Sequence, residues 1–305
     1  MIKKRLKLAY KKLRRIIPSH GEATLLLLGE HMSRQVAVLP ANESFRKVGF
    51  KVFSQWDEDG IIQYLVSHLP IKSKTFVEFG VEDYEESNTR FLLLKDHWQG
   101  MVLDGNEQDI RFIRSDHIYW QFDLQAKCVW VTRDNINSLV SSSGFPEDVG
   151  LLSIDVDGNE YWIWEAVQSI KPYIVIVEYN SLFGLQPISV PYKADFHKLS
   201  AHYSGLYYGC SLAALCHIAQ KKGYILVGTN AWGHNAFFVR SDIALEFKPQ
   251  EPGEVYMPST YRDSRNPAGK LTFLRGKDRL KLIEDLPVTN VMTGSQALLR
   301  EVLAL

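Results

Sequence analysis

The feature that most constrains this chain is a regular alternation of short apolar runs with helix-like segments between about residues 57 and 240. Runs typical of strands occur at 75–80, 100–105, 117–122, 150–155 and 173–178, with amphipathic segments between them. This alternation predicts a parallel sheet with right-handed crossover helices. Two further runs, at 224–227 and 235–240, are too close together for a crossover and predict a terminal antiparallel hairpin.

The 305 residues suffice for one large α/β domain with extensions. We predict a basic amphipathic helix and connector at 1–50, the α/β domain at 51–245 and a helical extension at 246–305. Residues 1–17 carry eight basic side chains and no acid, with apolar residues at helical spacing. Such a helix can lie on an anionic membrane surface, or dock through its apolar side on its own domain or on a second copy in a homo-oligomer.

Composition excludes several classes of protein. The 35 basic and 35 acidic residues give no overall positive field, which argues against a dedicated nucleic-acid binder. No apolar run reaches the roughly 18 residues of a membrane span, and three scattered cysteines indicate reduced thiols. The expected location is the cytoplasm, with contact to the inner face of the membrane if residues 1–17 bind it.

Acidic residues recur at the predicted strand ends, where open α/β sheets bind their ligands. These residues are Glu78 (with Gly80), Asp104, Asp123, Asp155, Asp157 and Glu178 (with Asn180). An acid-rich first turn suits a cationic ligand better than a pyrophosphate, and an acid at the tip of the second strand can bind ribose hydroxyls. One such acid more often caps a helix, but several in register favour a ligand site.

Four of these side chains, Asp155, Asp157, Glu178 and Asn180, are expected to converge, because adjacent parallel strands end close together. Three carboxylates repel one another unless a cation or a proton lies among them. This oxygen set suits Mg²⁺ or another hard divalent cation. Alternatively, Asp157 caps the following helix and Glu178 binds the amine of a ligand.

At these residues the sequence resembles the class I S-adenosylmethionine-dependent methyltransferases, and most nearly the FkbM-like group. The resemblance covers about residues 53–240, and its motifs are 76–80 (FVEFG), 102–105 (VLDG), 153–162 (SIDVDGNEYW) and 176–180 (IVEYN). It implies a Rossmann-like sheet and methyl transfer to oxygen or nitrogen, often on a sugar or polysaccharide-related small molecule. The usual glycine-rich loop after the first strand is reduced here to Gly80.

The resemblance also implies roles for single residues. Cofactor-binding roles fall to Glu78, Gly80, Asp104, Asp123 (near the adenine) and Asp155. Catalytic roles fall to Asp157, Glu178 and His234, with His234 as the alternative general base. Two other functions stay open: a non-catalytic methyltransferase-like binding module, favoured by the reduced glycine loop, and a metal-dependent enzyme acting on a nucleotide-activated sugar.

Overall fold

A computed structural model describes residues 20–303 of the chain. The predicted basic helix at 1–17, with its membrane contact, lies outside these residues. The helices are α1 (His20–Val36), α2 (Phe45–Val48), α3 (Glu58–His68), α4 (Arg90–Asp96), α5 (Glu107–Arg114), α6 (Ile118–Gln121), α7 (Ile136–Ser141), α8 (Glu160–Ala166), α9 (Lys198–Ala201), α10 (Leu212–Lys222), α11 (Pro252–Val255), α12 (Lys277–Leu280) and α13 (Leu299–Leu303). Within residues 20–303, no helix combines the length and apolarity needed to cross a membrane.

The strands are β1 (Thr75–Phe79), β2 (Gln99–Asp104), β3 (Leu124–Cys128), β4 (Leu151–Ile154), β5 (Ile174–Glu178), β6 (Ile188–Ser189), β7 (Tyr224–Thr229), β8 (Asn235–Arg240), β9 (Pro287–Asn290) and β10 (Gln296–Leu298). Seven of them form one sheet in the order β3-β2-β1-β4-β5-β8-β7. Strands β1 to β5 run parallel, and β8 is antiparallel to both β5 and β7. This is the predicted Rossmann-like sheet, mostly parallel with a terminal antiparallel hairpin.

Both faces of the central strands are buried, as expected for parallel strands covered by helices. Successive residues of β1 point to opposite faces: Phe76 packs in the layer with α3 and α4, whereas Val77 and Phe79 pack in the layer with α8 and α10. Glu78 therefore shares its face with Phe76. The alternation of side chains along β1 therefore decides the face of the sheet on which the Glu78 carboxylate lies.

The prediction of a strand at 117–122 is wrong. Residues Ile118–Gln121 form the short helix α6, and the strand follows at Leu124–Cys128. In the sheet register Gly100, near the start of β2, is paired with Leu124 at the start of β3. Asp123 therefore precedes its strand and lies at the amino edge of the sheet.

The C-terminal residues differ from the expected helical extension. They contain short helices, but also strands β9 and β10, which form an antiparallel pair. Strand β9 also pairs with β6, which belongs to the long segment after β5. Ile283, Val288 and Leu299 are fully buried against Phe183 and Ile188 in a cluster of their own. The C-terminal residues are thus packed onto the segment that follows β5, the strand that ends in Glu178.

Candidate active site

A cleft of about 1200 Å³ opens along the carboxyl ends of β1, β2, β4 and β5. Residues of the 196–208 segment and of the C-terminal part close its other side. Six residues singled out in the sequence line this cleft: Gly80, Asp104, Asp155, Asp157, Glu178 and His234. Three others, Glu78, Asp123 and Asn180, do not contribute to its lining.

Gly80 is the point where β1 turns away beneath the cleft. Its φ of +73° lies in the left-handed region, and a Cβ atom at this position would be 1.6 Å from the carbonyl oxygen of Asp155. Its N–H donates to the carbonyl of Leu103 at 2.9 Å. No side chain fits at this crossing of two backbones, so this remaining glycine of the first loop is sterically required.

Asp104 lies at the tip of β2 with its carboxylate at the cleft. It accepts hydrogen bonds from the backbone N–H groups of Glu82 (2.9 Å) and Asn106 (2.7 Å), which fix its orientation. Burial raises the pKa of this carboxyl above its ordinary value, and its two hydrogen bonds oppose that shift. Each oxygen keeps acceptor capacity for a hydroxyl of a ligand.

Glu78 does not serve the cleft, and the cofactor-binding role predicted for it is corrected. It points to the α3/α4 face and accepts hydrogen bonds from the N–H of Asn88 (2.9 Å) and the hydroxyls of Ser87 (2.7 Å) and Thr89 (2.5 Å). Burial raises the pKa of the Glu78 carboxyl above its ordinary value, and these hydrogen bonds only partly offset the shift. Glu78 organises the turn that starts α4.

Asp123 is likewise excluded from the predicted adenine contact. It lies at the amino edge of the sheet, where its side chain accepts a hydrogen bond from the amide of Gln99 at 2.7 Å. Its backbone carbonyl accepts from the N–H of Gly100. The opposite edge of a sheet cannot reach a ligand at the carboxyl ends.

Asp155, Asp157 and Glu178 do converge as predicted. One carboxylate oxygen of each lies within 4.8 Å of the others. Burial, together with the negative charges of Glu178 and Asp157, raises the pKa of the Asp155 carboxyl well above its ordinary value. One oxygen of Glu178 is buried without a hydrogen-bond partner among residues 20–303. The cluster is therefore short of positive charge and of donors.

The turn that carries two of these acids is held by Glu160, which sequence reasoning missed. Its carboxylate accepts from the N–H groups of Gly158 (2.7 Å) and Val156 (3.1 Å) at the start of α8. Asp157 within that turn has a φ of 55°, a strained value for a residue with a side chain. Burial and the charge of Glu178 raise the pKa of Glu160 to about 8. An acid two residues after a glycine, at the start of a helix, is the signal that could have found it.

Asn180 was predicted as a metal ligand, but it does not line the cleft, and its side chain holds neighbouring backbone instead. Its amide nitrogen donates to the carbonyls of Tyr208 (2.9 Å) and Leu206 (3.0 Å). Its amide oxygen accepts from the N–H of Leu182 at 3.0 Å and caps the 3₁₀ turn Ser181–Phe183. The residue is buried and fixes the 206–208 segment against β5.

Lys198 contributes a positive charge that no motif in the sequence predicts. Its Nζ lies 3.0 Å from an oxygen of Asp157 and 3.8 Å from the ring centroid of Tyr208. Tyr208 also lines the cleft, whereas the neighbouring Tyr207 turns away and donates its hydroxyl to the carbonyl of Pro287. Asp157 is thus partly neutralised, while Asp155 and Glu178 have no such ion pair with a lysine or arginine among the described residues.

His234, in the β7–β8 turn, is buried beside these acids. Its Nε2 and the hydroxyl of Ser259 are hydrogen-bonded at 2.9 Å, and its Nδ1 lies 3.8 Å from an oxygen of Glu178. The ring stacks near Trp56, which in turn stacks on Trp232 at 4.4 Å. The imidazole is therefore oriented on one side and faces an acid on the other.

Comparisons with solved structures give methyltransferases at low identity. The chain is similar to the N-terminal domain of EvdMO1 with SAH bound (11% identity, 69% of this chain and 94% of that chain, TM-score 0.40). It is also similar to a putative caffeoyl-CoA O-methyltransferase from Staphylococcus aureus (13%, 77% and 98%, TM-score 0.38). Similarity to the CurJ carbon methyltransferase (12%, 60% of this chain, TM-score 0.37) extends over 52% of that protein. No protein-family model matches the chain, and no curated protein matches it either.

Proposed function

We propose that this protein is an S-adenosylmethionine-dependent methyltransferase that methylates a hydroxyl of a sugar or polysaccharide-related small molecule. The observation that carries the proposal is the single cleft that Gly80 and Asp104 share with Asp155, Glu178 and His234. The FkbM-like subgroup stays a prediction. So does a homo-oligomeric state.

The two sides of the cleft suit the two substrates. Asp104 offers its carboxylate to the ribose hydroxyls, and the exposed acid Glu82 adds negative charge for a cationic cofactor. When bound, S-adenosylmethionine supplies an electrophilic methyl group on a positively charged sulfur. The exposed rings of Trp130 and Tyr261, also at the cleft, offer flat apolar surfaces on which a sugar or an adenine can stack.

We propose Glu178 and His234 as the candidates for the general base that accepts the proton of the acceptor hydroxyl. An acceptor hydroxyl that receives a methyl group loses its proton, and His234 or Glu178 would accept that proton. His234 is held by Ser259 and faces Glu178, so an imidazolium formed there has a carboxylate 3.8 Å away. Positioning of the two substrates contributes roughly 7–11 kcal/mol in well-oriented reactions, so a strong base is not required.

Cofactor binding tests this proposal directly. Asp104→Ala removes the acceptor for the ribose hydroxyls and should weaken S-adenosylhomocysteine binding by about 10- to 100-fold, as for loss of hydrogen bonds to a charged group. Asp123→Ala is the matched control, because it removes an aspartate from the opposite edge of the same sheet. Isothermal titration calorimetry on the full chain measures both.

Two results would contradict the function. One is an absence of binding by the wild-type protein at millimolar S-adenosylmethionine and S-adenosylhomocysteine, which would favour the binding-module alternative without this cofactor. The other is an equal effect of the Asp104 and Asp123 substitutions. A melting curve for each variant separates a lost contact from a lost fold.

We further propose that Asp155, Asp157 and Glu178 hold a divalent cation such as Mg²⁺. Three carboxylate oxygens within 4.8 Å of one another fit a small cation, and one oxygen of Glu178 is buried without a partner in the described part of the chain. The ion would stabilise the acceptor oxygen as its proton leaves. Asp157 would have to share its carboxylate between the cation and Lys198.

Metal binding can be measured without knowing the acceptor. Asp155→Asn should weaken Mn²⁺ binding at least about tenfold, since a neutral amide replaces one of the two half-buried carboxylates of the cluster. Glu82→Gln, at an exposed acid of the same cleft, should leave binding unchanged. Titration followed by water-proton relaxation checks this, and equal Mn²⁺ affinity in all three proteins would refute the metal site.

A further inference from the structure

Two arginines from the C-terminal residues line the cleft opposite its acidic strand ends. Arg279 lies in α12 and is only 7% exposed, and Arg265 is half-buried in the segment before it. Neither arginine lies at the end of a strand of the main sheet. Both come from the part of the chain that folds back through β9 and β6.

Arg279 lacks the partner that a buried cation needs. Within residues 20–303 no carboxylate oxygen lies within 4.0 Å of its guanidinium, and its Nε is buried without a hydrogen bond. Its hydrogen bond to the carbonyl of Ser259 is long, at 3.4 Å. The similarly buried Arg90 also has an Nε without a hydrogen bond, but unlike Arg279 it is paired with a carboxylate, that of Glu22 at 3.2 Å, and donates to the carbonyl of Tyr84.

Burial accordingly lowers the pKa of the Arg279 guanidinium, and the nearby Tyr208 and Asp263 only oppose that shift. A buried, unpaired guanidinium is costly unless a ligand brings the missing negative charge. Arg265 is similarly free for a ligand. Its guanidinium has one hydrogen bond, to the carbonyl of Gly269 at 3.2 Å, and no ion pair among the described residues.

Arg279 is also connected to the reacting side of the cleft. Ser259 receives its hydrogen bond through the carbonyl and binds the Nε2 of His234 through the hydroxyl. A group held by Arg279 would therefore lie near the candidate base. The acids of Asp155 and Glu178 would repel an anion from the strand ends, and the arginines would attract it to the other side.

We propose that Arg279, assisted by Arg265, binds an oxyanion of the methyl acceptor, a phosphate or a carboxylate. Given the proposed function, the substrate is then an acidic sugar derivative, with its anionic group on the arginines and its hydroxyl at His234 and Glu178. The planar guanidinium fits both oxyanions through paired N–H donors. The acidic strand ends and the two arginines orient the acceptor in the cleft, and Asp263, which lines the cleft near Arg279, adds one negative charge on the arginine side.

Inorganic phosphate and acetate are the probes, titrated separately into the full chain by calorimetry. We expect wild-type protein to bind one of them, and the anion that binds identifies the group on the acceptor. Arg279→Gln should weaken that binding at least tenfold, and Arg265→Gln should weaken it less. The matched control is Arg262→Gln, which changes an exposed arginine that does not line the cleft.

Wild-type protein that binds neither anion at tens of millimolar would overturn the proposal, as would Arg279→Gln binding with unchanged affinity. If Arg279→Gln fails to fold, the comparison of Arg265→Gln with Arg262→Gln decides, and equal affinity in those two overturns it. S-adenosylhomocysteine binding is measured in parallel on the same proteins. If the wild-type protein does not bind S-adenosylhomocysteine, the proposed function is wrong. The anion titrations test the arginine site alone.

Discussion

At the scale of single residues, Gly80 carries the greatest steric constraint in the cleft. Gly80→Ala would add a Cβ 1.6 Å from a backbone oxygen, so we expect the free energy of unfolding to fall by several kcal/mol and cofactor binding to be lost. Gly144 has a nearly equal φ of +76°, and no atom of the described residues lies within 4 Å of the place its Cβ would take. Gly144→Ala therefore isolates the backbone strain of a left-handed alanine, roughly 1–2 kcal/mol. Denaturant unfolding of both variants measures the difference.

If both alanine variants lose the same free energy, the clash with Asp155 is not what restricts Gly80. A larger loss at Gly80 means that the close approach of the Asp155 backbone, and not the left-handed conformation alone, requires a glycine at this position. The reduced first loop would then be compatible with a ligand at the strand end.

Single residues also show where sequence reasoning stops. Asp104, Asp155, Asp157 and Glu178 could be placed at the cleft, because a strand that ends in an acid puts that acid at the carboxyl edge. Glu78 could not be excluded in this way, since its direction depends on the face it occupies and on the donors of residues 87–89. Asn180 was misassigned for the same reason: its partners lie 26 and 28 residues further along the chain.

At the scale of elements, the central strands were predictable and the edge strand was not. Buried strands such as β4 and β5 are continuous apolar runs. Strand β3 is at the edge, and only Leu124 and Ala126 of it are buried, which leaves a weak pattern. The aromatic run before it is more typical of a strand, yet it forms α6 with Trp120 76% exposed. That error moved Asp123 to the wrong edge of the sheet.

The segment from Tyr256 to Ser259 shows how a loop completes the site. The hydroxyl of Tyr256 donates to the carbonyl of Ser181, and the hydroxyl of Tyr179 donates to the carbonyl of Met257. Gly233 makes this contact possible, because a Cβ there would be 2.4 Å from the carbonyl oxygen of Met257. These contacts place Ser259 on His234. They join residues 75 and 78 positions apart, and no local pattern encodes them.

At the scale of the whole molecule, the C-terminal residues and the α/β sheet depend on each other. The predicted division at 245 and 246 separates two stretches of sequence, but β6 and β9 pair across it and one apolar cluster draws on both. Arg279 and Arg265 reach the cleft only because this packing holds them there. The proposed acceptor side of the cleft is therefore built from long-range contacts, whereas the proposed cofactor side is built from the strand ends.

This dependence can be tested by one substitution within the β9–β10 hairpin. Val288 is fully buried against the β6 segment, so Val288→Asp would bury an unpaired carboxylate and should lower the free energy of unfolding by more than about 3 kcal/mol. Met292, in the turn of the same hairpin, is 62% exposed, and Met292→Asp should change stability by less than about 0.5 kcal/mol. Denaturant unfolding followed by tryptophan fluorescence reports on the main sheet, because Trp164 lies in its core, and far-UV circular dichroism reports on the secondary structure of both parts. A single transition that shifts in Val288→Asp means that the hairpin and the sheet unfold together. A separate early transition in far-UV circular dichroism, at which the tryptophan signal does not change, would instead show that the C-terminal residues are an independent unit.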